Sequence, residues 1–146
     1  MSELFKQLEG VPLGTVKPSS EILDSIAWNE AGLIPAIAQQ AESLEVLMMA
    51  WMNREALEET LRTGRVCYWS RSRGKLWRKG ESSGQVQRLK AAYLDCDGDT
   101  LLLNVEQTGP ACHSGRRSCF YVALGKDEAT VISDPLIDPA ILYAKR

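Results

Sequence analysis

The sequence predicts an α+β fold, mostly antiparallel β-sheet with one main helix. Two observations predict it. Short runs of strand composition recur along the chain, near residues 33–39, 45–51, 65–70, 85–94, 100–107 and 118–124. Against them stands one segment, Asn53 to Thr63, with helix signals at both ends. At 146 residues, 45% hydrophobic and 25% charged, the chain reads as one globular domain with a single core.

Residues 1–27 read as an N-terminal arm and residues 28–146 as a single domain with a short C-terminal tail. In the arm, Leu4, Phe5 and Leu8 pattern a short amphipathic helix. Gly10, Pro12, Gly14 and Pro18 then interrupt the chain before a second short helix over Ser20 to Ile26. The arm is expected to pack on the body or on a partner. Leu33–Gln39 and Glu45–Trp51 predict a hairpin, with Pro35 suited to a strand end or edge. Its tip lacks an Asn-Gly or Asp-Gly pair.

Asn53 caps the main helix, Glu55, Glu58 and Glu59 suit its positive end, and Leu57 and Leu61 lie four apart on one face. Gly64 stops it. A strand over 65–70 follows, then a loop-like stretch over 70–84. Two strands, 85–94 and 100–107, are joined at an acidic segment in which Gly98 supplies a tight turn. After Thr108-Gly109-Pro110 come a strand over 118–124, short β structure at Val131-Ile132 and a helical turn over Pro139 to Tyr143.

No apolar run approaches the ~20 residues a membrane span needs, and the N-terminus lacks the pattern of a secretory signal. A cytoplasmic, reducing setting is therefore expected, and Cys67, Cys96, Cys112 and Cys119 are expected to stay free of disulfides. A net charge of −2 argues against a general nucleic-acid binder.

Three groups of residues carry chemistry. The first is Asp95-Cys96-Asp97-Gly98-Asp99. In an extended segment, alternation puts the three aspartates on one face, fit for a hard cation such as Mg²⁺, and Cys96 on the other. An acidic turn closing a strand accounts for the same five residues. A calcium loop does not, because Thr100 stands where Gly is required and the flanks read as strands.

The second group is Cys112 and Cys119 around a Gly-containing turn. With Cys96 they make three thiolates, which leave a tetrahedral zinc one open position; adding Cys67 closes the site. Small buried apolar residues are the plain alternative. His113, the one histidine, suits proton transfer beside such a centre, or is satisfied by backbone hydrogen bonds.

The third group is the stretch Ser70 to Gly84, with five basic residues, four serines and three glycines against one acid. Arginine forks, hydroxyls and exposed backbone N–H groups match phosphate oxygens. A solvated basic loop is the alternative. A phosphorylated small molecule fits the three groups together. A zinc-stabilised nucleic-acid-binding module using residues 70–90 is the rival from another class.

Taken in order, the motifs resemble the phosphoribosyl-AMP cyclohydrolase family. They are Gly32-Leu33-Ile34-Pro35-Ala36, Met49-Ala50-Trp51-Met52-Asn53, Ser70-Arg71-Ser72-Arg73, Leu76-Trp77-Arg78-Lys79-Gly80-Glu81-Ser82-Ser83-Gly84, the acidic segment, and Gly109-Pro110-Ala111-Cys112-His113-Ser114-Gly115 with Ser118-Cys119-Phe120. The resemblance implies a metal-dependent hydrolase of histidine biosynthesis. Such an enzyme opens the adenine ring of 1-(5-phosphoribosyl)-AMP at the N1–C6 bond, with a zinc-activated hydroxide attacking C6.

It implies an intertwined homodimer with one zinc per subunit, held by Cys96 of one subunit and Cys112 and Cys119 of the other. It implies Mg²⁺ at Asp95, Asp97 and Asp99, and proton transfer by His113. Substrate contacts are implied at Ser70, Arg71, Arg73, Trp77, Lys79, Glu81 and Ser83, with neither nucleic acid nor membrane as partner. Ser82 and Ser114 stand where many members have Thr, and Gln85 where Asn is common. Cys67 is left as a core residue. A chain ending at Arg146 leaves no room for the pyrophosphohydrolase domain fused to some relatives, so a monofunctional form is expected.

Overall fold

β1 (Ile34–Gln40) and β6 (Leu101–Gln107) lie side by side inside the sheet and alternate as strands covered on one face must. Ile34, Ala36 and Ala38 of the first, and Leu101, Leu103 and Val105 of the second, are buried. A computed structural model describes residues 2–143. Met1 and residues 144–146, the outermost parts of the expected arm and tail, lie outside the described residues.

Along the chain the elements are α1 (Glu3–Leu8), α2 (Ser19–Ser25), β1, β2 (Val46–Met52), α3 (Arg54–Thr63), β3 (Cys67–Ser70), β4 (Lys75–Arg78), β5 (Gln87–Leu94), β6, β7 (Val122–Leu124), β8 (Ala129–Val131) and α4 (Pro139–Leu142). The main sheet has the order β4-β3-β2-β1-β6-β5. Its neighbours pair antiparallel except β1 with β6, which run parallel. The α+β class is as predicted. The parallel pair was not foreseen, because its two strands lie some sixty residues apart in sequence and share no turn. Pro35 sits at the start of β1, before the pairing with β6 begins at Ala36. It therefore needs no amide on that side.

α3 is built as its caps dictate. The Asn53 side chain accepts from the Ala56 N–H at 2.8 Å, and Gly64, at φ 76°, donates its N–H to the Thr60 carbonyl at 2.9 Å. The buried stripe is Ala56, Leu57 and Thr60, whereas Leu61 is 44% exposed. The stripe turns toward Thr60 because its hydroxyl has work in the core: Oγ1 donates to the Ala56 carbonyl and accepts from the Cys67 N–H at 2.9 Å. Cys67 is fully buried, as expected of a core residue.

Three segments differ from expectation. The stretch 70–84 is not all loop. β4 folds back on β3 through a turn closed by Gly74 N–H to the Ser70 carbonyl at 2.8 Å. Basic residues at both ends of Lys75-Leu76-Trp77-Arg78 hide its strand pattern. The expected strand 118–124 shortens to β7, which pairs with β8 in a separate two-stranded sheet. Ser118 and Cys119 are instead held by β2: Ser118 Oγ donates to the Val46 carbonyl at 2.8 Å and the Cys119 N–H to the Leu47 carbonyl at 2.7 Å.

Asp95–Asp99 is a turn, not an extended segment. Gly98 lies at φ 67°, and its N–H donates to the Asp95 carbonyl at 3.1 Å. Strand alternation therefore does not separate Cys96 from the aspartates; the Cys96 thiol lies 3.8 Å from Asp97 Oδ1.

Candidate functional site

β2, the β3–β4 hairpin and the loop after β6 border a cavity of about 490 Å³, within the range of small-molecule sites. Met48, Met49 and Ala50 of β2 form one wall, and Ala111, His113 and Cys119 another. The polar lining is Arg73, Trp77, Lys79, Ser82 and Ser83, with Tyr143 from the tail. A shallower cleft of about 630 Å³ continues past Trp77 and Arg73 to Ser70, Arg71, Trp51 and Trp69.

Each polar residue is placed by local structure. Ser70 closes the hairpin turn, its Oγ accepting from the Arg73 N–H at 3.2 Å. The Arg71 guanidinium lies over the Trp51 ring, 4.9 Å from its centroid, a cation–π contact that steadies a side chain otherwise free in solvent. Trp77 packs its ring 5.4 Å from that of Tyr68. Lys79 is buried at 5% exposure, with its ammonium 5.8 Å from the Trp77 centroid. Burial lowers its pKa, and thiolate character at Cys119 and Cys112 pulls the other way. Ser83 is buried and its Oγ accepts from the Gln85 N–H at 3.2 Å.

The thiols pair. Cys112 and Cys119 stand close enough for each to shift the other's ionisation. Cys112 Sγ also accepts from Ser114 Oγ at 3.0 Å and from the Ser114 N–H at 3.5 Å. Burial works against its ionisation, but the Ser114 donors, Cys119 and the Arg116 charge together hold it below the ordinary thiol range. Burial, and then the charge on Cys112, push Cys119 up to about 12. Two neighbouring sulfur donors, one of them favoured toward the thiolate, suit a soft dication. This donor set fits zinc.

The acidic turn stands elsewhere. Asp95 and Cys96 border a separate hollow of about 330 Å³ with Phe5, Leu8 and Ile22. The Asp95 carboxylate accepts from the Asp99 N–H at 3.0 Å. Burial opposes its ionisation, yet the hydrogen bonds from Asp99, Thr100 and Gly98 outweigh it and lower the pKa. Asp99 is raised, first by its hydrogen bond to Asp95 and then by burial and the Asp95 charge. The three exposed aspartates offer oxygen donors of the kind a hard cation takes. Cys96 is exposed and its thiol is raised, chiefly by the Asp97 charge. Among the described residues no three Cys, His, Asp or Glu side chains converge as a metal cluster. One chain brings Cys112 and Cys119 together and leaves Cys96 apart.

Of the residues expected at a substrate site, Arg73, Trp77, Lys79 and Ser83 line the cavity, and Ser70 and Arg71 the adjoining cleft. Glu81 is exposed on the following turn and borders neither. Sequence reasoning missed a buried amide network behind the cavity. Tyr68 Oη donates to Gln87 Oε1 at 2.7 Å, and Gln87 Nε2 donates to Gln107 Oε1 at 2.9 Å. Gln107 Nε2 reaches the carbonyls of Gln85 and Thr108 at 3.1 and 2.9 Å. Two glutamines within strands were the available signal. Gln85, noted as a departure, rests its side chain against Gly109, where any Cβ would meet it. Tyr143 gave no signal.

A family model described as phosphoribosyl-AMP cyclohydrolase matches residues 48–121, the span from β2 past Cys119. The chain is 71% identical to the phosphoribosyl-AMP cyclohydrolase of Chromohalobacter salexigens, with 100% of each chain covered. It is 68% identical to that of Alkalilimnicola ehrlichii, over 96% of this chain and 99% of the relative. With that of Alcanivorax borkumensis the identity is 62%, over 97% and 100%. Cleft, fold and likeness define a hydrolase with a small-molecule site. The chain belongs to the phosphoribosyl-AMP cyclohydrolase family, enzymes of histidine biosynthesis. Among the described residues, no helix is long and apolar enough to cross a membrane.

Proposed function

We propose that the protein opens the adenine ring of 1-(5-phosphoribosyl)-AMP by hydrolysis of the N1–C6 bond, giving the phosphoribosyl-formimino-carboxamide ribotide. The observation that carries this reading is one cavity lined by Cys119 and His113 together with the basic side chains Arg73 and Lys79. The active form is a homodimer in a reducing cytoplasm. One zinc per subunit is held by Cys112 and Cys119 with Cys96 of the partner subunit, and Mg²⁺ by Asp95, Asp97 and Asp99. When bound, the zinc supplies Lewis acidity to a water directed at C6.

The chain's own residues do the rest. Arg73 and Lys79 in the cavity, and Arg71 in the cleft beside it, receive phosphate oxygens. Arg71 arrives pre-set by Trp51, so little of its side-chain freedom is lost on binding. Trp77 offers a ring face between cavity and cleft. His113, exposed at the cavity's edge, carries a proton from the attacking water to N1 as the bond breaks. The water's oxygen ends on C6 as the carboxamide oxygen, and one of its hydrogens on N1. Ser114 holds Cys112 in thiolate character throughout.

Incubating zinc-loaded protein with phosphoribosyl-AMP and following ring opening by ultraviolet absorbance tests the reading. Turnover that needs Mg²⁺ and stops with a chelator is expected. A zinc-loaded, folded dimer with no turnover would overturn it.

A further inference from the structure

The acidic turn is gripped by a part of the chain that the site does not otherwise use. Asp95, Cys96, Asp97 and Asp99 are exposed, yet Gly98 between them is buried. What buries it is the N-terminal arm. A Cβ at Gly98 would fall on the Cε2, Cζ and Cδ2 atoms of Phe5. From the other side, the Gly98 carbonyl accepts from the Ala27 N–H at 2.9 Å. Phe5 is only 5% exposed, and the Ser2 hydroxyl caps its helix by accepting from the Phe5 N–H at 3.5 Å. α1 and the second residue after α2 thus hold one glycine of the turn from two directions.

A ligand-bearing turn at the end of a hairpin needs this support. Metal ligands must be held within about 0.5 Å of their working positions. The turn's own hydrogen bonds, Gly98 N–H to the Asp95 carbonyl and Asp99 N–H to Asp95 Oδ1, fix its shape but not its direction from the sheet. The ring against Gly98 and the bond from Ala27 fix that direction. Glycine is required twice over, for φ 67° and for the ring's approach.

We infer that the N-terminal arm is a clamp that aims the Asp95–Asp99 turn, with Phe5 as the positioning residue through which it sets the reach of Cys96 and the aspartates. The inference rests on the metal roles proposed above for those residues. The test uses the full-length zinc-loaded dimer as wild type, Phe5→Leu, Phe5→Ala and Cys96→Ala. It reads amide hydrogen exchange at Gly98 and Asp99, zinc retention against a competing chelator, and the Mg²⁺ concentration for half-maximal turnover.

In Phe5→Ala, exchange at the two amides quickens about tenfold or more. Zinc retention falls and the Mg²⁺ requirement rises by a similar factor, with the overall fold unchanged by circular dichroism. Phe5→Leu, which fills the core but withdraws ring atoms from Gly98, gives intermediate values. It carries the test alone, at about threefold, if Phe5→Ala does not fold. Unchanged exchange overturns the clamp. Quickened exchange with unchanged zinc retention and Mg²⁺ requirement, while Cys96→Ala loses zinc, overturns its role in aiming the ligands. Full zinc retention and turnover in Cys96→Ala would overturn the assignment of the turn itself.

Discussion

Removing one oxygen, in Tyr68→Phe, tests whether the buried network behind the cavity is a unit. Tyr68 and Gln87 are fully buried, and burial raises the phenol far beyond its ordinary range, so its proton is never lost in use. Its hydroxyl is the donor to Gln87 Oε1, at 2.7 Å. The substitution leaves that amide oxygen without its donor and costs about 1–3 kcal/mol, the usual penalty for an orphaned buried group. Gln87→Leu orphans two groups, the Tyr68 hydroxyl and Gln107 Oε1, and costs about 2–4 kcal/mol.

The double variant orphans only Gln107 Oε1. It is therefore less destabilised than the two single losses added, by about 1 kcal/mol or more. Urea unfolding at one fixed protein concentration measures all three. With m in the usual range, 2 kcal/mol moves the midpoint by about 1 M. A loss below about 0.5 kcal/mol in Tyr68→Phe, or strict additivity in the double variant, would refute the network as a coupled unit. Because Gln107 Nε2 tethers Gln85 and Thr108 beside the cavity, turnover should fall in Gln87→Leu even at temperatures where it is folded.

Two further outcomes are expected. His113→Ala keeps its zinc and slows turnover about 100-fold or more, the scale of acid–base help; near-wild-type turnover would remove that role. Glu59 accepts two hydrogen bonds from Arg78, from Nε and Nη2, both at 2.8 Å, and this lowers its pKa. A carboxyl lowered on folding contributes stability above its unfolded value of about 4.3, and loses it as pH falls through the folded value. Glu59→Gln is therefore less stable than wild type by about 1 kcal/mol or less near neutrality, Arg78 being partly exposed, and equal to it in acid. A difference that stays constant from pH 7 to 3, by urea midpoint, would contradict this.

Much of the fold was legible because its signals are local. Asn53 and Gly64 bracket α3, and Gly98 marks the turn between β5 and β6. Both act through neighbours in sequence. What was not legible depends on distant partners. β1 beside β6 is set by burial of two apolar faces, with no intervening motif. Leu61 lost its place in the core to Thr60, whose hydroxyl is needed by Cys67, seven residues on. The site divides the same way. Ser70 to Ser83 and Cys112 to Cys119 were found as runs of chemistry, and all but Glu81 of the substrate residues reach a cavity or cleft. Tyr68, Gln87 and Gln107 were passed over, since a polar residue in a strand declares its partner only in three dimensions. Phe5 looked like one turn of an amphipathic helix, and nothing in the sequence tied it to Gly98.

Mixed dimers test most directly the proposed service of Cys96 to a neighbouring subunit. If the zinc is held as proposed, Cys96→Ala and Cys112→Ala subunits are each expected to be inactive alone. Co-refolded in equal amounts, half of the dimers are mixed and each holds one complete thiolate set, so about a quarter of wild-type turnover returns. No recovery in proven heterodimers would contradict a site shared across the interface.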